Sequence, residues 1–180
     1  MADDTKLIVF QPKVIPTTKK NTQQIKKSRE VTKTKTWVKQ ISKDDFATTS
    51  QLSLLESDLD PENKKQGFVY SQIKQKISGY RHQDILKNKL DETLFVDLAF
   101  VIQLLLVSQL HCFYCREDVS LLYEMVRDPK QWTLERVYNQ KGHNKDNVEI
   151  CCLSCNIKRR TMYHEKYKFT KQITFQKETL

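Results

Sequence analysis

Four residues have the type and spacing to grip a soft metal ion. Cys112 and Cys115 form one C-x2-C pair, Cys152 and Cys155 a second, and 36 residues separate the pairs. Two thiolates three positions apart on a tight knuckle supply two corners of a tetrahedron, while backbone amides around the knuckle stabilise their charge. Two such knuckles close the site. The expected metal is therefore a structural zinc with no open position for water; free thiols or a redox pair are the alternative. Cys151 precedes a ligand and faces away from the metal if the strand continues to that point, packing as a small apolar group. An odd number of cysteines, five in all, with two close pairs argues against a secreted disulfide framework and for a reducing intracellular compartment.

Between the pairs lies a second group of chemically useful residues, in QWTLERVYNQKGHNKDN. Glu135 is a carboxylate able to meet a hard cation, and Asn156 opens the segment after the second knuckle. Arg136 stays protonated, so it cannot take a proton from water, but its planar fork suits a phosphate or a carboxylate. His143, with an ordinary pKa of about 6.5, is the nearest group able to act as a base, and His164 is a more distant one. A solvated loop histidine is the plainer reading of His143.

These residues need elements to hold them. WTLERVY and NVEICC read as two strands, and the intervening NQKGHNKD suits a hairpin loop. A final helix is expected from near Asn156 through IKRRTMYHEKY, with Lys158, Arg159, Arg160 and Lys166 on a basic exposed side. From Asn156 to Leu180 there are seven basic and two acidic groups. Upstream, Val69, Ile73 and Ile77 recur at the spacing of one helical face, in a helix expected to stop at Gly79. HQDILKNKL and DETLFVDLAFVIQLLLVSQL read as a second helical stretch at the centre of the core. The apolar run 94–110 is too short and too interrupted by Asp97 and Gln103 for a membrane span. SLLYEMVRD reads as one or two helical turns.

The order of knuckle, long excursion, hairpin and second knuckle opening a helix resembles the treble-clef arrangement of the HNH endonuclease family. The phrases QWTLERVYNQKGHN and CLSCNIKRR are similar to those of HNH-like proteins of large DNA viruses of eukaryotes. The resemblance spans residues 105 to 165. It implies that Glu135 and Asn156 hold a divalent ion such as Mg or Mn at the hairpin, that Asn147 is the loop asparagine orienting the base, and that Arg136 stands where the family carries its catalytic histidine. A zinc-stabilised HNH-like protein that binds DNA is then expected, with phosphodiester cleavage only if His143 or another base replaces Arg136. The alternative is an inactive structural or assembly protein, such as a virion component. Its place would be the cytoplasm or nucleus of an infected cell, or the virion.

Composition supports a nucleic-acid partner without choosing one. Net charge is +9 on 180 residues, of which 38% are hydrophobic. Residues 1–43 carry ten Lys and one Arg against three acids, a net +8, with few large apolar groups. This predicts an extended or disordered basic arm that tracks phosphates or reaches neighbouring subunits. Trp37 within it is suited either to stack on a base or to dock on the domain. Residues 44–65 read as an acidic linker, 66–175 as the zinc-binding domain and 176–180 as a tail. The fold class expected is α+β, mainly helical, with no membrane partner.

Overall fold

A computed structural model of the chain describes residues 25–56 and 63–173. The first 24 residues of the expected arm, the turn at Pro61 and the tail lie outside the described residues.

The scaffold begins with α4 (Lys64–Leu86), a 23-residue helix. Asn63 caps its start, its side-chain oxygen accepting from Gln66 N–H at 3.2 Å. Val69 and Ile73 lie one turn apart on the inward face and are fully buried. The helix runs straight through Gly79, where termination was expected. A Cβ there would meet no atom within 4 Å, so Gly79 faces open space. Its propensity penalty of about 1 kcal/mol is smaller than the burial of even one Val or Ile side chain, about 1.5–3 kcal/mol. The chain leaves the helix at Lys87 and turns at Asn88, whose φ is +52°.

The second helical stretch is shorter than expected. α5 (Leu98–Val107) starts only at Asp97, whose carboxylate accepts from Phe100 N–H at 2.8 Å. Before it, Asp91 holds a local turn by accepting from the amides of Thr93 and Leu94. Val101 and Leu105 of α5 are fully buried. Among the described residues no helix is long and apolar enough to cross a membrane.

Two strands, β1 (Trp132–Arg136) and β2 (Val148–Cys152), form the antiparallel sheet expected, with Trp132 opposite Cys152 and Arg136 opposite Val148. Leu134 and Ile150 pair across it and join Val69, Ile73, Val101 and Leu105 in one core, each at 1% exposure or less. After β2 the chain enters α6 (Leu153–Arg159), reverses at Arg160 with φ +52°, and continues as α7 (His164–Gln172). The single final helix is thus two.

Three other expectations differ from the structure. The stretch SLLYEMVRD is not helical. Its Leu121 and Leu122 amides both donate to the buried Gln51 side-chain oxygen, at 2.6 and 2.9 Å, which removes them from any helical ladder, although both leucines do point inward. Residues 30–40, expected in an extended arm, form α1 (Glu30–Lys33) and α2 (Lys35–Gln40). Trp37 docks on the domain at 3% exposure, edge to face with Phe68 at 4.9 Å, and this one large aromatic anchors a segment of otherwise polar composition. The acidic region is not a plain linker either: a 3-10 turn (Lys43–Phe46) leads into α3 (Thr48–Glu56), and Asp45 pairs with Lys65 at 2.9 Å. Ser42 and Asp45 complete a capping box there, which gives the acid a structural task.

Candidate functional site

The two cysteine pairs meet where β2 passes into α6. The first knuckle follows α5 directly: Arg116, at φ +62°, bends back so that its N–H donates to Cys112 O at 3.0 Å. In the second, Cys152 caps α6 and its Sγ accepts from Cys155 N–H at 3.3 Å, the amide-to-sulfur bond that a thiolate needs. The four Sγ atoms of Cys112, Cys115, Cys152 and Cys155 all lie within 4.8 Å of one another. A tetrahedron with metal–sulfur bonds of about 2.3 Å has edges of about 3.8 Å, and Cys115 and Cys152 are 4.0 Å apart. The donor set therefore fits a metal ion such as zinc. Three of the four are buried, and Tyr114, between the first two cysteines in sequence, packs edge to face with Tyr167 at 4.9 Å. Cys151 is buried beside Thr133 and outside this group of four.

At the other end of the hairpin a cleft of about 300 Å³ gathers Glu135, Arg136, His143 and Asn156, together with Arg159, Arg160 and Lys87. Sequence reasoning had linked the first four and had named Arg159 and Arg160 as nucleic-acid contacts; the tertiary structure adds Lys87. Glu135 of β1 is buried at 4% exposure, and its carboxylate is clasped by the guanidinium of Arg159. Arg159 was expected on the exposed basic face, but it turns inward at 3% exposure. Besides Glu135 it donates to Met162 O at 2.7 Å, Arg136 O at 2.8 Å and Asn139 Oδ1 at 2.9 Å. Burial pushes the Glu135 carboxyl up to about 7 against the pull of Arg159.

His143 is not a solvated loop residue. It is buried at 4% exposure, with Nδ1 2.9 Å from Oδ1 of Asp84 and its own N–H donating to Asp84 Oδ2 at 2.6 Å. Tyr80 of α4 lies against the ring at 4.5 Å. Burial takes the imidazole down to about 4, with Asp84 opposing the shift and the nearby cations Arg136 and Lys87 reinforcing it. Gly142 makes this seat possible, because a Cβ there would run into the Lys89 carbonyl and the Asp84 carboxylate.

Asn147 is fully buried and staples the hairpin loop: its Nδ2 donates to Tyr138 O at 3.1 Å and Gly142 O at 2.9 Å, while its Oδ1 accepts from Tyr138 N–H at 2.9 Å. All of these bonds stay within the loop, so Asn147 shapes the backbone that presents His143 and makes no bond to the ring. Asn156 is half-buried and donates to Thr133 Oγ1 at 3.2 Å. Arg136 donates to Lys141 O at 3.3 Å. Lys158, Arg160 and Lys166 are exposed. His164 lies outside the cleft lining, between the rings of Tyr138 and Tyr163.

Asp84, Tyr80 and Lys87 were missed in the sequence. Tyr80 and Asp84 belong to α4 and Lys87 is the residue just past its end, and Asp84 stands 59 positions before His143. The one local signal was the glycine immediately before His143, a mark of close backbone approach.

Fold and site together define an α+β protein, mostly helical, with a small antiparallel sheet and a four-cysteine cluster able to hold a metal ion. No family model, curated protein or solved structure matches the chain.

Proposed function

We propose that the chain is a zinc-stabilised, HNH-like treble-clef protein that binds DNA through the cleft between the hairpin and α4. In this reading the cysteine cluster holds zinc and fixes the angle between β2 and α6, and the cations at the cleft take backbone phosphates. The observation that carries it is the composition of the cleft: Arg136, Arg160 and Lys87 converge there, while the acid beside them, Glu135, is already neutralised by Arg159. The potential is therefore positive at a concave surface to which the hairpin, α4 and α6 all contribute. Exposed Lys158 and Lys166 extend the same sign along α6 and α7.

The same pair argues against a hairpin Mg or Mn. A divalent ion at Glu135 would have to displace Arg159 and leave its guanidinium buried without a counter-charge, a cost of about 3–5 kcal/mol. Binding without cleavage is the consequence. To test it, anisotropy of a labelled DNA duplex is followed against salt. Saturable binding is expected, with a log–log salt slope that falls by about 0.9 for each phosphate contact removed, as in Arg136→Ala and Arg160→Ala. Salt-independent binding, or none, would end this reading.

Hydrolysis is the second reading, and one observation favours it. Asp84 holds His143 at Nδ1 in the cleft wall, and the imidazole is neutral at physiological pH, as a general base must be. Nicking of supercoiled plasmid with Mg or Mn, lost in both His143→Ala and Glu135→Ala, would establish it over binding alone.

A further inference from the structure

The opposite end of β1 holds a second cavity, which meets the strand at Trp132 where the first meets it at Leu134, Glu135 and Arg136. It encloses about 280 Å³ and is lined by Arg29, Gln72, Gln75, Lys76, Tyr123 and Trp132 among others. Two cations share it without a counter-ion. Arg29 lies over the Tyr123 ring at 3.7 Å, and Lys76 Nζ approaches the same ring at 5.0 Å and that of Trp132 at 4.5 Å. Among the described residues neither forms an ion pair; Glu30 also lines the cavity but pairs with neither.

Two like charges held at one aromatic ring repel each other, and desolvation adds to the cost. Burial, then Arg29, pull Lys76 down to about 7, as expected of a cation lacking a partner. The hydrogen bonds that fix the two groups leave donors to spare. Arg29 gives one N–H to Tyr123 O at 2.8 Å and one to Gln72 Oε1 at 3.0 Å, and Lys76 gives one to Trp132 O. A guanidinium has five N–H donors and an ammonium three, so three and two remain. The rings of Tyr123 and Trp132 are both buried, which leaves no stacking surface for a base and favours a compact tetrahedral anion over a planar aromatic one. A neighbouring cleft shares Arg29, Glu30 and Tyr123 and adds Arg127, so a further cation stands at the approach.

We propose that the cavity between Arg29 and Lys76 is a phosphate-binding site, occupied by free phosphate or by the terminal phosphate of an oligonucleotide. It does not depend on the cleft at Glu135.

The test is calorimetric titration of the full chain with inorganic phosphate at constant ionic strength, and with a short oligonucleotide bearing either a 5′-phosphate or a 5′-hydroxyl. Saturable binding of phosphate, or of the phosphorylated oligonucleotide only, is expected. Lys76→Met keeps the stem packed on Trp132 and removes the charge; it should fold at least as stably as the parent and bind about ten- to a hundredfold more weakly, the worth of a charge-assisted hydrogen bond. In the unsubstituted chain the Trp132 indole N–H resonance should move on titration, a readout that needs no variant. Two results would overturn the proposal: no saturable binding of inorganic phosphate together with indifference to the 5′ group, or an affinity that Arg136→Ala weakens and Lys76→Met leaves unchanged, which would put the anion in the other cleft.

Discussion

The cysteine cluster draws on β2 and α6 and the hairpin cleft on β1 and α6, yet the polar groups of these two neighbouring sites are in opposite states. In the cluster four sulfurs face one another within 4.8 Å with no protein cation among them. In the cleft and its wall the two acids are committed to protein partners, Glu135 by an ion pair with Arg159 and the buried Asp84 by hydrogen bonds with the neutral His143. Like groups that converge without a counter-charge need a ligand, whereas opposite groups that converge satisfy themselves. By that rule the cluster calls for a metal and Glu135 does not. The Arg29–Lys76 cavity falls with the cluster, with the sign reversed.

The contrast can be broken most severely at the metal. Chelation, or Cys112→Ser with Cys155→Ser, should abolish the cooperative thermal transition, because structural zinc contributes about 10–16 kcal/mol of apparent binding energy, as much as the whole stability of a typical domain. Metal analysis should find one zinc per chain, and a metal-free chain with an unchanged transition would refute the assignment. Next in size, Arg159→Met strands the buried Glu135 carboxylate and should cost about 3 kcal/mol or more in urea denaturation above pH 7. Glu135→Leu made together with Arg159→Met should recover most of that loss. If the single change is harmless, Glu135 is free to hold an ion after all.

Smaller effects sharpen the comparison. Asn147→Ala removes three loop hydrogen bonds and should cost about 1–3 kcal/mol, read from the denaturation midpoint. The weakest signal lies in pH. Since the folded Glu135 carboxyl is raised from 4.5 to about 7, the folded chain keeps a proton that the unfolded chain has lost, and stability falls as pH rises through that window. His143 acts in the other direction: lowered from 6.5 to about 4, it stays neutral where the unfolded chain is protonated, so stability is lost as pH falls from 6.5 toward 4. The two slopes oppose each other in the parent chain. In Glu135→Gln the first is gone, and melting temperature should rise with pH between about 4 and 6.5.

How much of this was legible beforehand depended on distance along the chain. The knuckles, the strands and the hairpin loop rest on spacings of a few residues, and they stand where local pattern placed them. Gly79 misled because a propensity penalty of about 1 kcal/mol is easily outweighed by packing. SLLYEMVRD misled because its amides are claimed by Gln51, some 70 positions earlier. The segment around Trp37 looked too polar to order, and composition has no way of counting a single well-seated aromatic ring.

The sequence by itself determined that four thiols would be presented in two pairs and that Glu135, Arg136 and His143 would share one hairpin, since backbone geometry sets both over short range. Only the tertiary structure decided what those groups do. Arg159 reaches Glu135 across 24 positions and Asp84 reaches His143 across 59, and a buried ionisable group takes its charge state from whichever partner folding brings to it.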